Sequence, residues 1–369
     1  MVRTEVSKIT DEVLHNSDLV AVRQAMYRQK RKKYPVLPKN RIDVHECLEN
    51  LKPSTSKKEN FLYLNATDTG MVVFTCETNL KAMCCEFEDL FGDGTFKCCP
   101  KFFEQFYTIH GCKNGNYVAL VFVLLTNKDK TTYQNLFSFL VEECLKLGLH
   151  FKPKTFHVDF EVATISALKD VFVECEVVCC RFHLGQAWWR KIQKLGLQQE
   201  YCDTNSLLGK WLCYFFGLPF LDPDVVGDVF AELFSDKPET NNNKADRFAD
   251  YLLETYVDNG ASFPPHLWAK EPSENNKRTT NGAEAYHRSF NSMFYHSSPN
   301  IFVFLEILTG IQVTVYIKLR CLSKAVGGRK ADEERSAFVF KQYGRVKDGE
   351  MSFMEYVKSI SYRLRPIIV

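Results

Sequence analysis

Between Phe61 and Cys180 the hydrophobic period of the chain changes from two to about 3.6 and back, and this order of periods restricts the fold more than any single motif. Phe61–Leu64, Val72–Thr75 and Phe87–Phe91 read as short strands, the last leading into a turn at Gly92-Asp93-Gly94. Phe102–His110 and Tyr117–Leu125 are longer runs rich in Phe, Tyr, Val and Ile, which fit a pleated surface. Thr131–Leu147 then places Leu136, Phe139, Leu140, Cys144 and Leu147 three and four apart, one face of a helix, with Thr131 and Thr132 as caps and Gly148 as its stop. Lys154–Val158 reads as a strand ending at Asp159, Glu161–Val171 as a helix and Glu176–Cys180 as a buried strand. Three adjacent antiparallel strands, then two more each reached through a helix, predict an α/β fold, a mixed sheet flanked by helices.

Beyond Leu184 the strand signal fades. Gln186–Lys194, Ser206–Phe216, Asp222–Leu233 and Asp246–Asp258 carry helical spacing, with a polar loop at Asp236–Lys244. Helical pattern returns at Gly282–Met293 and Ile301–Leu322, followed by a less regular tail. The expected organisation is an N-terminal helical and basic region with a linker over 1–60, the first part of the core over 61–185, an all-helical insertion over 186–270, the last part of the core over 271–320 and a tail over 321–369. No internal repeat or low-complexity tract is evident. In the first region, a helix from Thr10 to about Lys32 runs into Arg28, Lys30, Arg31, Lys32 and Lys33, then Pro35 and Pro38. Those cations suit either a helix C-terminus or a phosphate backbone.

Composition narrows the class. At 45% hydrophobic and 25% charged, the 369 residues supply a substantial core and an ordinary polar surface. No run approaches the ~18 consecutive apolar residues of a membrane span, and Met1–Thr10 lacks the apolar stretch of a secretory signal, so no membrane partner is expected. The fourteen cysteines, with pairs at 84–85, 98–99 and 179–180, read as reduced thiols of the cytosol or nucleus. A net charge of +2 leaves any nucleic-acid surface to local patches.

Three acids stand where strands and a helix can converge: Asp93, Asp159 and, 66 and then 125 residues apart, Glu284. Two strand-end aspartates and a helix-borne glutamate form a divalent-metal site for phosphodiester chemistry, because Mg²⁺ prefers carboxylate oxygen and paired ions clamp both oxygens of an in-line displacement. Among 45 acidic residues such a triple is not selective by itself. Asp93 also fits a turn former, Asp159 a helix N-cap and Glu284 a solvated helix face.

The flanking words add what spacing lacks. Gly92-Asp93-Gly94-Thr95-Phe96, Phe106-Tyr107-Thr108-Ile109-His110, Leu124-Leu125-Thr126-Asn127-Lys128 with Thr131-Thr132-Tyr133, Asp159-Phe160-Glu161, Cys180-Arg181-Phe182-His183-Leu184-Gly185-Gln186-Ala187, and Arg278-Thr279-Thr280-Asn281 before Glu284 stand in one order. Across roughly Glu86 to Gln312 this series resembles the transposase domain of Mutator-like elements. The resemblance implies an RNase H-like mixed sheet interrupted by an all-helical insertion, with Asp93, Asp159 and Glu284 as the catalytic triad holding two Mg²⁺ or Mn²⁺ ions. It further implies a DDE-type transposase acting on transposon ends and target DNA, as a homo-oligomer on DNA, in the nucleus. Thr280-Asn281-Gly282 departs from the family's Thr-Asn-Asn without touching the glutamate.

Other residues are assigned around the triad. Cys180 and His183 have the spacing of half a zinc site; with no second half evident, structural zinc is not expected, and they are read with Glu161 and Asn281 as active-site support or as core residues. Trp188, Trp189, Arg190 and Lys191 mix aromatics with cations, and Lys277, Arg278, His287 and Arg288 flank Glu284; all are DNA-binding candidates, although a tryptophan there also fits the core. Met1–Asn60 offers only His15, His45 and Cys47 as ligands, so the zinc finger that such transposases often carry is not expected there. Two other readings remain open at this level: a host-retained DNA-binding protein with a vestigial core, and an RNase H-like nuclease outside transposition.

Overall fold

The computed structural model describes residues 21–364 apart from 23, 27, 30, 31, 33, 241, 274–280, 295, 328 and 329, and the backbone alone at 281–285. Its centre is a seven-stranded mixed sheet in the order β1-β2-β5-β4-β3-β6-β7, with β1 Leu62–Ala66, β2 Met71–Phe74, β3 Asp89–Thr95, β4 Gln105–Lys113, β5 Asn116–Leu125, β6 Thr155–Val158 and β7 Glu176–Cys179. The meander β3-β4-β5 is antiparallel, whereas β6 and β7 run parallel to β3. The expected mixed sheet is therefore present. It also extends past β5, where β2 and β1 add two antiparallel strands.

Helices α1 Arg41–Leu51, α2 Glu77–Cys85, α3 Lys130–Lys146 and α4 Val162–Val171 accompany the sheet. β5 is buried from Val118 to Leu125, as a strand covered on both faces must be, and this explains its unbroken apolar run. The α3 terminus follows the expected rule, since Gly148 takes a left-handed φ of 71° and the Leu149 N–H returns to the Cys144 carbonyl. Its start does not: the N-cap is Asp129, ahead of Thr131 and Thr132.

Two assignments at the site change. Gly92-Asp93-Gly94 is the interior of β3 and not a turn, with Asp93 paired to Thr108. A Cβ at Gly92 would lie 2.0 Å from the Tyr107 hydroxyl, and one at Gly94 would lie 1.6 Å from Gln105 Nε2, so these glycines admit side chains from β4 and make no reversal. Asp159 is not a helix N-cap either; Glu161 caps α4 by position, and the Asp159 carbonyl accepts the Glu161 N–H at 2.8 Å.

The insertion contains α5 Arg181–Lys194, α6 Leu207–Tyr214, α7 Val226–Ser235 and α8 Lys244–Leu252 around an aromatic core. α9 Asn281–Ser292 and α10 Ile301–Arg320 return to the sheet. Phe290 of α9 lies 4.9 Å from the Phe106 ring, and buried Gln312 of α10 exchanges hydrogen bonds with Asn79 of α2 at 2.8 and 3.0 Å. By length and composition α10 could cross a membrane, although polar residues interrupt its apolar run; half of its apolar window is buried in this fold.

The segment read as an irregular tail holds α11 Lys330–Lys347 and α12 Phe353–Leu364. Tyr356, Val357 and Ile360 of α12 are fully buried, and the Tyr356 hydroxyl donates to the Phe220 carbonyl at 3.3 Å, so α12 completes the core of the insertion. Among the described residues the cysteines form no disulfide. The pairs at 98–99 and 179–180 are buried, whereas Cys85 is exposed and Cys84 half-buried.

Candidate functional site

The parallel pairing of β3 and β6 aligns Phe91 with His157, and two residues further on stand Asp93, within β3, and Asp159, just past the end of β6. Period two places each aspartate on the face used by its aligned predecessor. Both line one cavity of about 310 Å³, together with Gln105, Tyr107, Lys128, Glu161 and Thr164. The sequence brings its two candidate aspartates together through register alone.

Asp93 is buried at 5% exposure and its Oδ2 lies 2.8 Å from Nδ1 of His287, itself 7% exposed. Burial by itself would raise the Asp93 carboxyl; the His287 contact outweighs this and holds it below the ordinary value. The polar chain continues inward, from His287 Nε2 to Thr108 Oγ1 at 2.9 Å and from there to His110 Nε2 at 2.8 Å. His110 is driven down to about 3, chiefly by burial, and is therefore neutral. His287, read from sequence as a DNA contact, is instead the clamp that seats α9 on Asp93. A buried carboxylate requires such a partner.

Asp159 is more open, at 37% exposure, and its Oδ1 lies 2.6 Å from His183 Nδ1 in the first turn of α5. Cys180 lies beside them: its N–H donates to the Val158 carbonyl at 2.8 Å, and its thiol is fully buried. Burial lowers the basicity of His183, but Asp159 and the Cys180 thiol outweigh it and raise the pKa to about 11. The nearest ligand atoms of Asp159, Cys180 and His183 all lie within 4.8 Å of one another, a group that could hold a metal ion. The half site seen in the sequence thus gains a third ligand from the residue that follows β6.

Glu161 also reaches the cavity, and its Oε2 accepts from the Tyr133 hydroxyl at 2.9 Å and from Thr164 Oγ1 at 3.1 Å. Three carboxylates around one cavity provide the oxygen donors that a hard divalent cation requires. Glu284 lies on α9 one turn before His287; its side chain, like that of Asn281, and residues Lys277 and Arg278 lie outside the described residues. So do Lys30, Arg31 and Lys33, while Arg28 and Lys32 are exposed and far along the chain from the cavity.

The DNA-binding candidates of α5 divide. Trp188 is 1% exposed, with its ring edge to face against Phe216, Tyr256 and Trp268 at 5.6 to 5.8 Å, so it is a core residue and no DNA contact. Trp189 is half-buried over Tyr201, and Lys191 sits 4.4 Å over the Tyr251 ring. Arg190 and, on α9, Arg288 are exposed. Sequence reasoning missed Gln105, Tyr107 and Lys128 as cavity residues. Tyr107 and Lys128 lie inside the flanking words, but which of those side chains turn toward the acids depends on β4 crossing Gly92 and Gly94.

No curated protein matches the chain. Residues 90–187 match the family model described as the MULE transposase domain, a stretch that runs from β3 into α5 and takes in Asp93, Asp159, Glu161, Cys180 and His183 but stops short of Glu284. Over those residues the chain carries a domain of the MULE transposase family.

Proposed function

We propose that this chain is a DDE-type DNA transposase with an RNase H-like core, acting in the nucleus as a homo-oligomer on DNA, with Asp93, Asp159 and Glu284 as its metal-binding acids. The observation that carries the reading is the meeting of Asp93 and Asp159 in one cavity at adjacent parallel strands, inside the stretch matched by the family model. The sheet supports it too, with an antiparallel meander followed by two parallel strands reached through helices. Glu284 belongs to α9, the same helix whose His287 contacts Asp93, and this supports counting it with the two aspartates.

Asp93 and Asp159, with Glu284, would hold Mg²⁺ or Mn²⁺, which supply Lewis-acid activation of water and neutralise charge at the phosphate. The protein's own residues do the positioning. His287 fixes Asp93 in its ionised form, His183 orients Asp159, and Tyr133 with Thr164 orients Glu161. Lys128 at the cavity wall offers a cation to the strand. A water oxygen attacks a phosphorus at the transposon end and the 3′-oxygen leaves with a proton. The freed 3′-hydroxyl then attacks a target phosphodiester and displaces the target's own 3′-oxygen, with no covalent protein intermediate.

The test is cleavage of a labelled transposon-end duplex in Mg²⁺. Asp159→Asn is expected to keep the fold and DNA binding and lose the cleaved strand; cleavage that survives in this variant overturns the assignment.

A further inference from the structure

The cluster of Asp159, Cys180 and His183 has a donor set that the proposed reaction does not require. Mg²⁺ binds oxygen and gains nothing from a thiol, whereas one sulfur, one imidazole nitrogen and one carboxylate oxygen suit borderline and softer ions such as Zn²⁺ and Co²⁺. The cluster is built by the fold. Val158 pairs with Cys179, so the next residues, Asp159 and Cys180, leave two adjacent parallel strands side by side. His183 follows three residues later, which places it on the helix face above Cys180. All three ligand atoms come within 4.8 Å of one another. The thiol is fully buried, as are the facing Asp159 Oδ1 and His183 Nδ1, while the Asp159 and His183 side chains as wholes remain 37% and 27% exposed, so the cluster lies just beneath the surface. Three protein ligands leave one position of a tetrahedral ion unfilled, which describes an open site and not a closed structural one.

We propose that Asp159, Cys180 and His183 form a binding site for Zn²⁺ or a like transition-metal ion, and that its occupation withdraws Asp159 from the Mg²⁺ site and inhibits strand cleavage. The binding itself is independent of the proposed function; only the inhibition rests on it.

Cobalt substitution tests the binding in the full-length protein. Co²⁺ titrated into the wild type is expected to give a thiolate-to-cobalt charge-transfer band in the near ultraviolet, with visible bands of tetrahedral coordination, and Zn²⁺ to displace both. Cys180→Ser should lose the charge-transfer band, and His183→Gln should weaken Co²⁺ binding at least ~10-fold while far-ultraviolet circular dichroism stays unchanged. Asp93→Asn, at a residue outside the cluster, should keep the spectrum. A wild type without the charge-transfer band, or a Cys180→Ser protein that retains it through another cysteine, overturns the site. For the inhibition, Zn²⁺ should slow Mg²⁺-dependent cleavage by the wild type, and more Mg²⁺ should restore it; cleavage indifferent to Zn²⁺ at concentrations that saturate the spectrum overturns that part. A wild type with the cobalt spectrum but no metal-dependent cleavage instead contradicts the transposase reading and, with it, the inhibition.

Discussion

His287 Nδ1 and Asp93 Oδ2 meet at 2.8 Å inside the protein, and this pair joins the helix that carries Glu284 to the strand that carries Asp93. It is structural and electrostatic together, since the same contact that docks α9 keeps a buried carboxylate charged. His287→Ala leaves that carboxylate without its partner and is expected to cost about 1–3 kcal/mol at neutral pH. The pH dependence has a definite sign. Because the Asp93 carboxyl is held below its usual 3.8, its contribution to stability is present above that value and is lost as the pH falls through the lower folded value. Denaturant midpoints of wild type and variant should therefore differ most near pH 7 and converge on acidification below about pH 4.

The two glycines around Asp93 give a second prediction. Gly92→Ala puts a methyl group 2.0 Å from the Tyr107 hydroxyl, which is buried and cannot yield freely, and is expected to cost about 1–3 kcal/mol by urea denaturation. Combining it with Tyr107→Phe should recover part of that loss, because the nearest clashing atom is the hydroxyl oxygen. Strict additivity of the two changes would show that the crowding lies elsewhere.

Trp188 and Arg190, two residues apart on α5, should separate fold from DNA contact. Trp188→Ala removes a ring packed among three aromatic residues and is expected to cost about 3–5 kcal/mol, read as a lowered melting temperature. Arg190→Ala should leave that temperature within a degree or so, while DNA affinity falls and the salt dependence of binding becomes shallower. A normal salt slope in the arginine variant would remove Arg190 from the interface.

Truncation before Phe353 tests the role of the C-terminal helix. Without α12, the cover over Gly217 and Phe220 is gone, and the insertion should melt separately from the sheet, seen as a second, earlier transition in calorimetry. Val357→Ala offers a milder version, at about 1–2 kcal/mol.

How much of this was legible beforehand depends on the range of the interactions involved. The strands and helices between β3 and α5 were readable because local period and end signals dictate them, as Gly148 shows at the end of α3. Helix α2 was missed because a polar residue, Asn79, stands on its buried face, and α12 because its buried face is completed by Gly217 and Phe220, more than 130 residues away. The aspartates were identifiable as acids at strand ends, yet the Gly-Asp-Gly segment read as a turn because the crossing of Tyr107 and Gln105 over it is a property of strand pairing. For the same reason the His287 clamp and the Asp159 contact to His183 could not be assigned from spacing.

The central claim is that Asp93 and Asp159 share a divalent metal. Diffraction from crystals soaked in Mn²⁺, with data collected at the manganese edge, tests it most directly. The account predicts an anomalous peak in the cavity within about 2.2 Å of a carboxylate oxygen of each aspartate, absent in Asp93→Asn crystals treated alike. A cavity without the peak in fully soaked crystals, or a peak that persists unchanged in the variant, would contradict it.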